Sequence, residues 1–418
     1  MLINDATKKF IAEHAADDVR KLALQGAKQE NVDLQQALQQ IAGRQTARKK
    51  LASWAAVEDI VYPPHLNMEQ CSSEQTARYK QRLVERLMTE KRVNGASRTV
   101  EMDSFVDLTG GFGVDFYWMS QGFKQRHYVE QNPALCALAE HNFHLLALES
   151  MVVCGSAADT LHKLPRASVI YLDPARRNEH GGRTFDIADC TPNVLEMLPS
   201  LLEKSHFIVV KLSPMLDWRK AVSDLKYVQE VHIVSVGNEC KELLLVLSKE
   251  QTEKLQVFCV NDDGVSLFVP VVGTHSTNSW YAPYQPVVPA VPAYFTAAGK
   301  YLFEPNASIM KAGCFREVEQ QYAVRQLSAN SHLFVSDADI SDFPGRRFQI
   351  SSISSMNKQE LKTVLKEIPQ ANIAVRNFPL SAEQLRKKLK LKDGGDTYIF
   401  ATTQADGQHR LYICRKIG

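Results

Sequence analysis

The chain has 418 residues, 44% hydrophobic and 23% charged, with a formal net charge of +2. That length is long for a single core and predicts several domains, while the composition is that of an ordinary globular protein. No apolar run is long enough for a membrane helix, and the opening M-L-I-N-D-A-T-K-K-F lacks the form of a signal peptide, so a cytoplasmic protein is expected. The eight cysteines are scattered without a C-x-x-C pair, which predicts neither a zinc site nor a disulfide framework.

Residues 1–97 read as a helical region. Asp5 is the expected cap of a first helix whose inner face carries Phe10, Ile11, Val19, Leu22 and Leu24. Asp33 is the expected cap of a second, with Leu34, Leu38 and Ile41 inward. Ser72 and Gln75 have capping-box spacing before a third, after the break at Pro63 and Pro64.

From Arg98 to residue 250 short β-rich runs alternate with helical patterns. Strands are expected at 104–108, 125–130, 150–154, 168–172, 206–212, 230–236 and 242–247. Alternation through the first five implies crossover units and a parallel sheet. Only a short turn at Gly237 and Asn238 separates the last two, so they form an antiparallel hairpin. Dinucleotide dehydrogenases usually end on a parallel strand; this ending is the methyltransferase variant of the doubly wound α/β fold.

Residues 251–342 read as a linker and a small segment, with Pro283, Pro286, Pro289 and Pro292 three apart as in an extended chain. An α+β module fills 343–418: a strand at 348–352, a helix at 358–366, a strand at 372–375, a basic helix at 382–390 and a hairpin of 398–401 with 410–414.

V-D-L-T-G-G-F-G-V-D follows the first of these strands and opens a helix. Gly111 and Gly113 permit a tight turn close to a ligand, with Thr109, Gly110 and Asp115 in the same loop. Asp107 at the strand end can accept hydrogen bonds from an amino group. Glu130, ending the next strand beside Gln131, can take the two hydroxyls of a ribose. Ser156, or Asp159, stands where an adenine amine would lie; an ordinary polar loop explains them equally well.

The fourth strand runs into Asp173, Pro174, Ala175, Arg176 and Arg177 on the switch-point side of the sheet. A carboxylate and a backbone carbonyl there can accept the two N–H bonds of an exocyclic base amine and hold it for in-line displacement. Pro174 stiffens the loop, and Arg176 or Arg177 can stack on a base or grip a phosphate. A strand-end turn capped by Asp173 is the plainer alternative. Cys190 reads as buried packing, which disfavours a covalent pyrimidine intermediate.

D-L-T-G-G-F-G-V-D, V-E-Q-N-P and Y-L-D-P-A-R resemble class I methyltransferases, above all those that modify RNA guanine at N2. S-S-E-Q-T-A-R-Y-K, F-E-P-N-A-S-I-M-K-A-G and the terminal module resemble a bacterial methyltransferase family with a helical N-terminal region, a ferredoxin-like segment and a C-terminal THUMP-like domain. The resemblance implies a seven-stranded Rossmann-like core that binds S-adenosylmethionine through Asp107, Gly111, Gly113 and Glu130, with Asp173 to Arg176 as catalytic loop and no metal. Ala175 stands where a second proline is common and Arg176 where an aromatic often stacks; Tyr79 or Phe185 is then the stacking candidate.

From Arg376 onward nine Lys and Arg face four Asp and Glu, concentrated at Arg386, Lys387, Lys388 and Lys390. A second basic cluster holds Arg44, Arg48, Lys49, Lys50, Arg78, Lys80, Arg82 and Arg86. THUMP domains bind structured RNA, so tRNA or rRNA is the expected partner and its base amine the expected target. A solvated helix face is the alternative for the charge runs. A protein amide or small-molecule substrate, or a non-catalytic binding module, remains open at this point.

Overall fold

A computed structural model describes residues 3–25, 31–89, 92–93, 96–97, 102–176, 186–250, 254–270 and 299–417, with only the backbone of 92–93, 96–97 and Arg176. Arg177, Phe185 and the proline series at 283–292 lie outside the described residues. The chain divides into two compact units: residues 1–231 with 242–253, and residues 232–241 with 254–418. No described helix is long and apolar enough to cross a membrane.

The first unit opens with helices α1 (Asp5–Glu13), α2 (Val19–Gln25), α3 (Leu34–Lys50), α4 (Ala52–Ala55), α5 (His65–Gln70) and α6 (Glu74–Thr89). Asn4, not Asp5, caps α1, accepting from the Thr7 amide at 2.8 Å, whereas Asp33 caps α3 as expected. The apolar face read as one helix is split into α1 and α2. Phe10, Leu22, Ala37 and Ile41 form its core, while Leu24, beyond the reach of that core, is 89% exposed. Ser73, not Ser72, receives the Thr76 amide at the start of α6, which releases Ser72 for another task.

The strands are β1 (Ser104–Asp107), β2 (Gln125–Glu130), β3 (Met151–Cys154), β4 (Ala167–Leu172), β5 (Ser205–Leu212), β6 (Val228–Val236) and β7 (Glu239–Leu247). Between them run α7 (Val114–Met119), α8 (Pro133–Leu145), α9 (Ala157–Lys163), α10 (Val194–Lys204) and α11 (Trp218–Leu225). Their spatial order is β6-β7-β5-β4-β1-β2-β3. The pairs β1–β2, β2–β3, β1–β4 and β4–β5 are parallel, and β7 is antiparallel to β5. Every residue of β4 is buried, as expected of a central parallel strand covered on both faces. The order reverses between β1 and β4, so their carboxyl ends open the crevice where ligands bind in such folds.

Residues 232–241, the outer half of the β6–β7 hairpin, belong to the second unit, which also holds β8 (Gln256–Asn261) and β9 (Gly264–Phe268), an antiparallel pair. The second unit also holds a separate seven-stranded sheet built from β10 (Tyr301–Pro305), β11 (Arg325–Gln326), β12 (Phe334–Ser336), β13 (Gly345–Ser354), β14 (Asn372–Arg376), β15 (Thr397–Thr403) and β16 (His409–Ile417), in the order β11-β12-β10-β13-β16-β15-β14. Helices α12 (Ala307–Ala312), α13 (Phe315–Tyr322), α14 (Lys358–Val364) and α15 (Ala382–Leu389) complete it. Leu385 of α15 is fully buried against Ile399, Ala401 and Leu411, which turns the helix's lysines outward.

Candidate active site at the carboxyl ends of the central strands

The glycine loop is held from below. Tyr128 of β2 has no exposure, and its hydroxyl donates to the Gly111 carbonyl at 2.5 Å. A Cβ at Gly110 would lie 2.2 Å from that ring, and one at Gly113, where φ is +86°, would lie 2.6 Å from Phe143. Gly111 differs: its φ is +55°, yet a Cβ there would meet nothing closer than 3.8 Å. Its glycine serves backbone conformation, and the space above it is open to a ligand.

Around this loop four strand ends converge. Asp107 ends β1, 1% exposed, and its Oδ1 accepts from the Thr109 amide at 2.9 Å and hydroxyl at 3.3 Å. The Thr109 hydroxyl in turn accepts the Asp173 amide at 2.6 Å, tying the end of β1 to the loop after β4. Glu130 ends β2; its Oε2 accepts the Gly111 amide at 3.0 Å and its Oε1 the Asn132 amide at 2.9 Å. Gln131 beside it is exposed. Burial, reinforced by the charges of Asp115 and Asp173, pushes the Asp107 carboxyl well above the usual carboxylate range, the Thr109 donors opposing.

Lys211 near the end of β5 donates to Asp173 Oδ2 at 2.6 Å and lies 3.7 Å from Asp115 Oδ2. Asp115, in the first turn of α7, also accepts from Ser72 at 2.9 Å and Tyr171 at 2.7 Å, and pairs with Lys80 at 3.0 Å. Lys80 has no exposure and also pairs with Glu242 of β7, whose Oε1 lies 2.9 Å from the same Ser72 hydroxyl. Burial alone would raise the Asp115 pKa, but Lys80, Lys211 and the Tyr171 hydroxyl bring it down to about 2. The folded value lies below the unfolded one, so Asp115 stabilises the fold above the ordinary aspartate range. That contribution is lost as pH falls from about 4 toward 2.

Two expectations are corrected by this geometry. Lys80, read as an RNA-binding residue, is a fully buried counter-ion and reaches no surface. Asp115, read as a cofactor ligand, is 9% exposed with both oxygens facing protein cations or donors; it orders the lysines instead. Three further members of the basic cluster around Lys80 have partners of their own, while Arg48, Lys49 and Arg82 are exposed. Arg78 pairs with Glu74 at 2.8 Å and lies over the Trp118 ring, Arg86 chelates Glu230, and Lys50 donates to the carbonyls of Met68 and Glu69.

Other expected residues fall as follows. Ser156 caps α9, accepting the Asp159 amide at 3.1 Å and donating to the Asp159 carboxylate at 2.7 Å, so its hydroxyl has local partners. Pro174 is buried, and Ala175–Arg176 pair with Cys190–Thr191 as a two-stranded ribbon. Cys190 is 2% exposed, consistent with packing. Tyr79 is half-buried on α6. In the second unit Lys388 and Lys390 are exposed, but Lys387 pairs with Glu383 at 3.0 Å, Arg386 with Asp393 and Arg376 with Glu304 at 2.8 Å. Ser72, Lys211 and Glu242 escaped the sequence reading; a lysine inside the apolar strand V-V-K-L was the one available signal.

The site thus gathers the carboxyl groups of Asp107, Asp115, Asp173 and Glu242 around the two lysines Lys80 and Lys211. Among the described residues the Thr109 donors to Asp107 both reach Oδ1, which suits Oδ2 to a ligand's ammonium. With open space above Gly111 and a carboxylate at Glu130, the residues fit a cofactor that carries a sulfonium, an amino acid moiety and a ribose.

Comparisons with known proteins agree. Residues 345–416 match a family described as THUMP domain-like and residues 301–344 one described as a ferredoxin-like domain. The crystal structure of a candidate methyltransferase from Porphyromonas gingivalis W83 aligns over 100% of both chains, with a TM-score of 0.80 and 31% identity. Uncharacterized S-adenosylmethionine-dependent methyltransferases from two strains of Mycobacterium tuberculosis are 23% identical over 289 residues, 68% of this chain and 74% of theirs. The chain belongs to the class I S-adenosylmethionine-dependent methyltransferases, in the family that carries a C-terminal THUMP-like domain.

Proposed function

We propose that this methyltransferase acts on RNA, transferring the methyl group to an exocyclic base amine in tRNA or rRNA. The observation that carries the reading is the placement of Asp173 and its loop at the switch point, beside the glycine loop and among the strand ends of Asp107 and Glu130. The cofactor supplies an activated methyl group on a positive sulfur. Asp107 receives the cofactor's ammonium, and Glu130, already oriented by the Gly111 and Asn132 amides, receives the ribose hydroxyls. Asp173 accepts one amine N–H and the loop carbonyl the other, which turns the nitrogen lone pair toward the methyl carbon. Methyl transfer from the bound cofactor would leave its sulfur neutral, and the proton shed by the amine nitrogen would pass to Asp173 or to water. Lys388 and Lys390 of α15 supply exposed positive charge for RNA phosphates, with Arg386 and Lys387 partly neutralised by neighbours.

Two measurements test the reading. Titration calorimetry should show binding of S-adenosylhomocysteine and none of NAD. Nucleoside mass spectrometry of tRNA and rRNA from a deletion strain should show the loss of one methylated base, restored by the wild-type gene and not by Asp173→Ala. An unchanged nucleoside profile would remove RNA as the substrate.

A further inference from the structure

The reaction assigned to Asp173 requires more than its presence, because burial works against its ionised form. Burial raises its pKa, and the nearby Asp115 charge adds to the rise; Lys211 is the strongest opposing influence and Lys80 a weaker one. A neutral Asp173 would lose the anionic oxygen that an amine N–H needs.

The strand register puts the cation where it is required. Val210 of β5 pairs with Leu172 of β4, so Lys211 follows immediately beside Asp173, while Leu244 of β7 flanks Lys211 on its other side. Its side chain is 11% exposed and its ammonium takes Oδ2 of Asp173 at 2.6 Å. Among the described residues no donor reaches Oδ1, and the Asp173 side chain remains 38% exposed. Asp115 and Glu242 are held from the inside by Lys80, leaving Lys211 to face the crevice. The groups facing Asp173 are therefore Asp107 from β1, Asp115 from α7, Tyr171 from β4, Lys211 from β5 and Lys80 from α6, while Glu242 from β7 faces Lys211.

We propose that Lys211 is the positioning residue of the methyl transfer: it grips one oxygen of Asp173, keeps the carboxylate ionised and presents the other oxygen to the target amine. The proposal rests on the role of Asp173 given above. Lys211 touches neither substrate nor cofactor and acts through that carboxylate alone.

The test is a titration of the full chain carrying aspartate labelled with 13C at the carboxyl carbon, the Asp173 signal being identified by its loss in Asp173→Asn. In Lys211→Met the Asp173 midpoint should move up by about 1–3 pH units, the range for an opposite charge within bonding distance. Lys211→Arg should restore most of the wild-type value. Turnover in Lys211→Met should fall about a hundredfold at pH 7, with the KM for S-adenosylmethionine unchanged. Calorimetry with S-adenosylhomocysteine verifies folding, and Lys211→Gln replaces the Met variant if that protein does not fold. A midpoint in the neutral variant less than about 1 unit above wild type, below the range for an opposite charge within bonding distance, would overturn the proposal. The titration needs no substrate, so a shifted midpoint with no RNA methylation faults the substrate reading and leaves Lys211 in place.

Discussion

The charges at the ends of the central strands and those on α15 belong to opposite physical regimes. Lys80 and Lys211 have side chains 0% and 11% exposed, each bridging two carboxylates, whereas Lys387 is 78% exposed and meets one glutamate that is 74% exposed. A buried ion that loses its partner costs several kcal/mol, while an exposed pair contributes a few tenths. The inner cluster can therefore fix geometry and protonation, and the outer one can only attract, at long range and under the control of salt. The proposed division of labour between chemistry at the crevice and recognition at α15 would use that contrast.

The sharpest way to break that contrast is at the crevice. Asp173→Ala should reduce methyl transfer by about two to four powers of ten, the range for a positioned acid–base group. Cofactor affinity should stay near wild type, since Asp107 and Glu130 are untouched. Wild-type turnover on the methylated RNA would remove Asp173 from the mechanism.

Next in size is the buried lysine of α6. Lys80→Met leaves Asp115 and Glu242 facing each other's charge with Lys211 alone, and should lower stability by about 3–5 kcal/mol in urea unfolding. Its acid dependence should change as well. The wild type should lose stability as pH falls from about 4 toward 2, where Asp115 titrates, and the variant should lose it at higher pH. An unfolding midpoint equal to wild type would mean that water reaches the cluster.

Smaller again is Glu130, the proposed ribose ligand. Glu130→Ala should weaken S-adenosylhomocysteine binding by about 1.5–3 kcal/mol, the range for hydrogen bonds to a charged group. Part of that loss comes through Gly111, whose amide loses its acceptor. Calorimetry would show which part: a variant that binds adenosine normally but not the full cofactor points to the loop.

These expectations differ in how far the sequence alone could reach them. Parallel-strand periodicity is local, so β1 to β7 were legible nearly to the residue, and the hairpin at Gly237 identified the fold's closing element. Asp107, Glu130 and Asp173 were legible because each ends a strand on the same side of the sheet. The lysines were not. Lys80 sits in Q-T-A-R-Y-K-Q-R-L, a run that reads as a solvated face, and its partner Glu242 lies 162 residues away. Ser72 was misassigned to a cap that Ser73 fills, for the same reason: one residue of register decides whether a hydroxyl meets its own helix or a distant carboxylate. β8 and β9 were missed because they lie in the stretch from residue 251 onward, where the apolar period is weak.

The smallest effect concerns which charges on α15 would meet the proposed RNA. Four cations cluster in the sequence, but the structure divides them. Arg386 is paired with Asp393 and Lys387 with Glu383, while Lys388 and Lys390 are exposed with no ion pair among the described residues. A cation already neutralised by a neighbour releases little more when it meets a phosphate; an unpaired one contributes its full share. Removing one cation that binds a phosphate should lower the slope of log affinity against log salt by about one unit or slightly less. Lys388→Ala with Lys390→Ala should therefore lower that slope by nearly two units in filter binding to cellular RNA. Arg386→Ala with Lys387→Ala should lower it by less. Both pairs should leave S-adenosylhomocysteine affinity unchanged, and the lysine pair should alter folding stability by no more than about 0.5 kcal/mol, as surface substitutions do. Changing all four to Glu should weaken RNA binding most. If the two alanine pairs act equally, the intrahelical pairs do not survive the approach of RNA; if neither acts, α15 is only a solvated face and the RNA surface lies elsewhere on the chain.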